Sequence, residues 1–183
     1  QSFDKGDITI CEYTINQPVD EIMSDLYQRH PDIIAFSCYV WNISEIYQVT
    51  EELKKIMPQT LILLGGPEVS YDATDILQKH EQIDAVISGE GELSFAAISE
   101  GRLPWEEIGN LTFRRQEDGF IVSNPPARLL EMDELPFIYD DLTPFANKMI
   151  YYESTRGCPF GCSYCLSSTS TCVRYRSMDK VLS

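Results

Sequence analysis

The sequence predicts an α/β fold built on a parallel sheet, and three observations predict it. Asp32 to Val40, Thr60 to Leu64 and Asp84 to Ser88 are short, nearly unbroken apolar runs, as expected of strands covered on both faces. Between them lie stretches whose apolar residues recur every three or four positions, the period of an amphipathic helix. Glycine-rich turns, Gly65-Gly66-Pro67 and Gly89-Glu90-Gly91-Glu92, close two of the runs. Strands that alternate with helices are joined by crossovers, and crossovers make neighbouring strands parallel.

Taken in order, Ile8 to Thr14 alternates and is rich in β-forming residues, so it reads as a strand. Pro18 opens a helix whose apolar face is Val19, Ile22, Met23 and Leu26, running to about His30. Asn42 with Glu45 three residues on has the form of a capping box, and Ile46, Val49, Leu53 and Ile56 continue that helix to Pro58. A short helix through Ile76 and Leu77 precedes the third run, and another through Leu93 and Ile98 follows it. After Gly101 the alternation stops. Asn110 to Arg115 and Phe120 to Ser123 flank Gln116-Glu117-Asp118-Gly119, a hairpin with glycine in its turn. Pro125-Pro126 and the stretch from Leu135 to Pro144 read as an extended linker, because prolines and the residues before them avoid helix. Asp133, Glu134, Asp140 and Asp141 are scattered along it as solvated charges with no assigned role. Met149 to Tyr152 reads as a strand feeding a Gly/Pro-rich loop. The expected domains are 1–103, an α/β domain; 104–148, hairpin and linker; and 149–183, the opening of a further domain.

The chain has 183 residues, of which 43% are hydrophobic and 11% aromatic, enough to bury a core. A net charge of −15 argues against nucleic acid as a partner, since phosphate backbones need a basic surface. No run of eighteen apolar residues and no signal-peptide pattern is present, so we expect a cytoplasmic chain with no membrane partner. Six cysteines without regular pairing suit a reducing compartment; Cys11 and Cys38, inside apolar runs, read as buried core thiols. In open parallel sheets ligands sit at the carboxyl ends of the strands. Here those ends are Ser37 to Asn42, Gly65 to Pro67 and Gly89 to Glu92, where glycine lets backbone approach a ligand closely or simply turns a strand into a helix.

The chemically richest stretch is Arg156-Gly157-Cys158-Pro159-Phe160-Gly161-Cys162-Ser163-Tyr164-Cys165. Its C-x3-C-x2-C spacing can turn three thiolates toward one metal centre, and soft thiolates favour iron-sulfur clusters or zinc. A 4Fe-4S cluster has four ligand positions, so three cysteines leave one open, the mark of a reactive site. Two readings stand beside it: structural zinc with Cys172 as fourth ligand, and a disulfide remnant.

This motif resembles the radical S-adenosylmethionine (radical SAM) superfamily. The resemblance implies that Cys158, Cys162 and Cys165 hold a 4Fe-4S cluster, that S-adenosylmethionine chelates the open iron, and that Tyr164 lies near it. Reductive cleavage of that sulfonium would start radical chemistry, with flavodoxin or ferredoxin as reductant protein and a small molecule as substrate. Upstream, the order Pro31 to Ser37, Leu63 to Pro67 and Asp84 to Glu92 resembles the cobalamin-binding domain fused to radical SAM domains, as in the anaerobic magnesium-protoporphyrin monomethyl ester cyclase group. It implies a Rossmann-like, flavodoxin-like parallel sheet of the cobalamin-binding type, then a β-hairpin linker and the first strand and loop of a TIM-like barrel. It also implies that Ser37, Gly65, Gly66, Gly89 and Gly91 lie near the cobalamin. The D-x-H-x-x-G element that carries a cobalt-ligating histidine in some cobalamin proteins is absent, and His30 and His80 read as helix-end residues.

The resembled fold places a strand and helix before Ile8 and several βα units after the cysteine loop. We therefore expect a fragment cut at both ends, inactive alone, whose unpaired sheet edge favours a homodimer or a rearranged sheet. The parent protein would perform radical methyl transfer or cyclisation. The alternatives are a non-catalytic cobalamin- or partner-binding module with structural zinc, and a radical SAM enzyme acting on tRNA with an empty α/β domain.

Overall fold

A computed structural model describes residues 8–139, 141–169 and 172–182. The chain divides into two compact units, Gln1–Arg128 and Leu129–Ser183. Asp140, one of the four linker carboxylates named above, lies outside the described residues.

The first unit is built on a five-stranded sheet in the order β1 (Ile33–Ser37), β2 (Leu61–Gly65), β3 (Ala85–Ile87), β4 (Leu111–Arg114) and β5 (Ile121–Ser123). β1, β2 and β3 are parallel, in the register Ile33 opposite Leu61 and Leu63 opposite Ala85. The hairpin β4–β5 does not stand apart with the linker: β4 pairs antiparallel with β3 and extends the sheet.

Helices α1 (Val19–Arg29), α2 (Ile43–Ile56) and α3 (Ala73–Lys79) contribute Leu26, Val49, Leu53 and Leu77 to one apolar layer with Ile34, Ile62, Leu64 and Val86 of the strands. Alternate residues of the same strands, Leu63, Ala85 and Ile87, face the opposite layer with Ile98 of α4 (Glu92–Ser99), Leu111 and Phe113. Both faces of β2 and β3 are thus dry, which is why they read as unbroken apolar runs; β1, at the edge of the sheet, buries only Ile34 and leaves Ala35 exposed, so the expectation of a strand covered on both faces fails there.

The amino ends of the strands are tied by charge. Asp84 accepts from the backbone N–H of Ile62 at 2.6 Å and pairs with Lys54 at 2.8 Å, and Lys54 also donates to the carbonyl of Thr60 at 2.8 Å. The carboxylate extends the β2–β3 ladder by one bond beyond the first residue of β3.

Three further expectations fail in this unit. Ile8 to Thr14 forms no strand. Its alternation supplies propensity, but a strand also needs a hydrogen-bonded neighbour. Tyr13 instead donates to Asp25 of α1, which also pairs with Arg29 at 3.0 Å. Burial, then the bond to Asp25, raises the Tyr13 pKa. Ile10 stays 86% exposed, and Cys11 is only partly buried, not a core thiol. The capping box at Asn42 does not form either, because that side chain is engaged elsewhere, as described below.

The second unit holds a two-stranded antiparallel pair, β6 (Thr155–Arg156) and β7 (Arg174–Tyr175), then a short α5 (Met178–Leu182). Met149 to Tyr152 is not a strand: the pairing begins at Thr155. The return segment grips the chain around it. Arg174 donates to the carbonyl of Leu130, Arg176 to those of Leu135 (2.9 Å) and Glu153 (3.1 Å), and the guanidinium of Arg176 lies 5.4 Å over the Tyr152 ring. Asp133 and Asp141 are structural, accepting the backbone N–H of Ser177 and of Thr143, each at 2.8 Å. The Ser177 bonds lower the pKa of Asp133. No helix among the described residues is long and apolar enough to cross a membrane.

Candidate functional site

The carboxyl ends of β1, β2 and β3 form a stitched rim. At the end of β1, Asn42 accepts from the backbone N–H of Tyr39 at 2.8 Å and donates to the carbonyl of Ser37 at 2.9 Å. These bonds close the turn 37–42 on itself. The next loop is locked to it: Cys38 N–H donates to Gly65 O at 2.7 Å and Glu68 N–H to Cys38 O at 3.3 Å. Gly66, at φ +111°, passes so close that a Cβ there would stand 2.5 Å from the carbonyl oxygen and 2.9 Å from the nitrogen of Cys38. Only glycine supplies both that φ and that clearance.

The third loop is different. Gly89 sits at φ +69° with nothing within 4 Å of the place a Cβ would occupy. Its backbone N–H donates to Ser70 Oγ at 3.0 Å, and Ser70 Oγ donates to Gly66 O at 2.8 Å. On the other side Asn110 donates to the carbonyl of Glu90 at 3.0 Å. Ser37, Gly65, Gly66, Gly89 and Gly91 therefore all stand at the carboxyl ends of the three parallel strands or in the loops they feed. Gly66 packs against protein, and Gly89 borders open space.

Beside the rim opens a cavity of about 1310 Å³ along the free edge of β1. Ile10 and Tyr13 line one wall, Ile33 and Ala35 the other, and it reaches Ser37 and Trp41 at the rim. Trp41 is 61% exposed and stacks on Tyr39 with ring centres 4.7 Å apart and planes 5° from parallel. Sequence reasoning singled out neither ring, nor Ser70 or Asn110. Two aromatics at i, i+2 just past an apolar run were the available signal for the first pair; Ser70 carries none. His30 and His80 precede β1 and β3, at the opposite ends of the strands from the rim. His80 stacks on Tyr47 with ring centres 3.9 Å apart, and burial lowers its pKa.

Cys38, fully buried under the rim, has its pKa pushed up to about 12 by burial. In folded, cluster-free protein at pH 8 it stays unmodified by iodoacetamide while the exposed Cys165 and Cys172 are alkylated, because only the thiolate reacts. Peptide mass mapping reads this; alkylation of Cys38 at the rate of the exposed pair would show that the loop opens.

In the second unit the cysteine motif lies on one loop between β6 and a 3₁₀ turn at Leu166–Thr169. Arg156, at the entry, donates to Glu153 at 2.6 and 3.1 Å, and that pairing holds the Glu153 carboxyl below its ordinary pKa. Gly157, at φ +107°, runs against the backbone of Cys172, whose carbonyl a Cβ on Gly157 would overlap. Cys158 and Cys162 are partly buried, Cys165 is exposed, and none of the three is in a disulfide. Among the described residues no three His, Cys, Asp or Glu side chains converge to hold a metal. The donor set fits a cluster that asks for three protein sulfurs, while the loop has not drawn them together. Tyr164 is 91% exposed.

An open α/β sheet with glycine loops stitched at the carboxyl ends of its parallel strands defines a coenzyme-binding domain of the Rossmann-like class. The chain belongs to the B12-binding domain family, which matches residues 3–99. It is 26% identical over 182 residues to the cobalamin-dependent radical SAM methyltransferase TokK of Streptomyces tokunonensis, covering 88% of this chain and 25% of that protein. It is 32% identical over 165 residues to the uncharacterized methyltransferase PH0819 of Pyrococcus horikoshii, covering 83% and 35%. The anaerobic magnesium-protoporphyrin IX monomethyl ester cyclase of Synechocystis is 29% identical over 130 residues, covering 66% and 26%. The chain thus spans about a quarter to a third of the length of these relatives.

Proposed function

We propose that this chain is the cobalamin-binding and cluster-opening part of a radical SAM enzyme that performs methyl transfer or cyclisation on a small molecule. The observation that carries the reading is the rim, where Gly89 borders open space at the end of β3 and an apolar cavity along β1 reaches Ser37 and Trp41 at the end of that strand. No protein atom fills the place of a Cβ at Gly89, so a large coenzyme with an apolar ring and a nucleotide tail can approach the backbone there. Membership of the B12-binding family and the relatives named above support the same reading.

In the parent, Ser37, Gly65, Gly66, Gly89 and Gly91 border the cobalamin, and the Tyr39–Trp41 pair offers it a flat apolar surface. Cys158, Cys162 and Cys165 hold the 4Fe-4S cluster, with Tyr164 near S-adenosylmethionine. Cluster and cobalamin together supply reductive cleavage of the sulfonium and carriage of a methyl group. The residues of this chain bind, orient and exclude water. Electrons come from a flavodoxin- or ferredoxin-type protein. The acidic charge of the chain keeps nucleic acid out of the reading.

The test is a titration of full-length protein, purified without oxygen, with hydroxocobalamin. Visible absorbance of the coenzyme shifts on binding, and Trp41 fluorescence falls in step with it. Trp41→Phe removes the quenching but not the absorbance change. Absence of both signals at stoichiometric concentrations would sink the cobalamin assignment.

A second reading has its own observation. The β6–β7 pairing brings the backbone of Cys172 against Gly157, one residue from Cys158. Cys172 thus lies on a strand-return segment beside the loop of the other three cysteines and is the fourth thiol that a structural zinc site would require, once the loop closes. Metal analysis separates the two: iron with acid-labile sulfide supports the enzyme, stoichiometric zinc the binding module.

A further inference from the structure

Three strand-end loops meet at the rim, and each junction between them has a different physical character. The first and second loops are joined by backbone alone, through the Cys38–Gly65 and Glu68–Cys38 hydrogen bonds and the close approach of Gly66. The second and third are joined through one hydroxyl. Ser70 sits in the stretch between β2 and α3, donates its proton to Gly66 O at 2.8 Å and accepts the Gly89 N–H at 3.0 Å. A serine hydroxyl has one proton to give and lone pairs to receive with, so a single atom satisfies both loops at once. Gly89 itself has no side chain and no neighbour within 4 Å of its missing Cβ to hold it by packing.

We propose that Ser70 is a positioning residue for the coenzyme site: its hydroxyl clasps the Gly66 and Gly89 loops together and so sets the width of the opening that Gly89 borders. This rests on the cobalamin reading above. Ser70 does not contact the coenzyme in this proposal; it acts through the backbone of Gly89. Its influence on binding follows from geometry. A loop held only by its flanking bonds samples positions that narrow or splay the opening, and the coenzyme must then restore the geometry as it binds. The Asn110–Glu90 bond anchors the far side of the same loop, so losing the clasp frees the Gly89 side and leaves the rest in place.

Ser70→Ala removes the clasp, while Ser70→Thr keeps a hydroxyl at the same carbon. Two measurements on the full-length protein test the pair. Hydrogen–deuterium exchange of the peptide spanning residues 85–92, without coenzyme, reads the clasp directly. The Gly89 amide of Ser70→Ala exchanges roughly tenfold faster than in the unaltered protein, as loss of a net-favourable hydrogen bond requires, and Ser70→Thr returns it toward the original rate. Titration with hydroxocobalamin reads the consequence: Ser70→Ala binds roughly tenfold more weakly, with the loss in the dissociation rate, and Ser70→Thr recovers most of it. The melting temperature of the ligand-free protein stays within a few degrees in both variants, which a general loss of fold would not allow. Unchanged Gly89 exchange in Ser70→Ala overturns the proposal. So does faster exchange with unchanged affinity, and in that case the cobalamin reading stands. If the unaltered protein takes up no hydroxocobalamin, that reading falls and the positioning role falls with it, whatever the exchange shows.

Discussion

Cys162→Ala strips the iron from full-length protein reconstituted without oxygen, and with it all reductive cleavage of S-adenosylmethionine. A 4Fe-4S cluster carries about four irons, which the proposed assignment holds by three thiolates with one position left open. Removing one of three protein ligands leaves two sulfurs for a cubane. Iron and acid-labile sulfide therefore fall together, to background, with the broad visible absorbance of the cluster. Cys172→Ala is the informative comparison. Under the cluster assignment it keeps its iron and sulfide, because Cys172 is no ligand. Under the zinc reading it loses metal as completely as Cys162→Ala, because a structural site needs its fourth ligand. Retention of iron and of sulfonium cleavage by Cys162→Ala would remove the ligand assignment itself.

What the sequence made legible follows from how each feature is held. β2 and β3 were readable because both faces of each are buried, so Ile62, Leu63 and Leu64 leave an unbroken apolar signature, whereas β1 carries an apolar run although only Ile34 of it is buried. Ile8 to Thr14 carried an equally clear alternation and misled, because pairing is a property of two segments and alternation of one. Asn42 was misread for a related reason. The Asn-x-x-Glu pattern allows a capping box, but an asparagine side chain has both a donor and an acceptor, and here the turn before α2 takes both. β7 is two residues long and held largely by arginine bonds to backbone carbonyls, which leave no periodic trace in the chain. The cysteine spacing suggested a donor set, but spacing along a loop does not fix where side chains point, and among the described residues the three thiols do not converge. The glycines at the strand ends were found, yet nothing in their spacing told that Gly66 is pressed against protein and Gly89 is not.

That difference gives the second large effect. Gly66→Ala and Gly89→Ala place the same methyl group on two glycines of positive φ, and the structure makes them unequal. At Gly66 two costs add. The φ of +111° is a conformation that L residues rarely adopt, about 1–3 kcal/mol, and the methyl would lie 2.5 Å from a backbone oxygen and 2.9 Å from a backbone nitrogen of Cys38. Those atoms cannot rotate away, because the same residue's N–H and carbonyl are engaged with Gly65 and Glu68. Relief therefore requires the two loops to separate, at a further cost of about 1–3 kcal/mol in the manner of an overpacked core. The sum is about 4 kcal/mol, a large share of the roughly 5–15 kcal/mol that holds an ordinary domain folded. At Gly89 only the backbone term remains, about 1 kcal/mol for φ +69° with no neighbour in reach. Denaturant unfolding of the two variants should thus differ by about 3 kcal/mol in midpoint-derived stability. Binding reverses the order of interest: the methyl of Gly89→Ala occupies the open space assigned to the coenzyme, so this variant stays folded and loses hydroxocobalamin. Were Gly89→Ala to bind as tightly as the unaltered protein, the opening it borders would not be where the coenzyme sits.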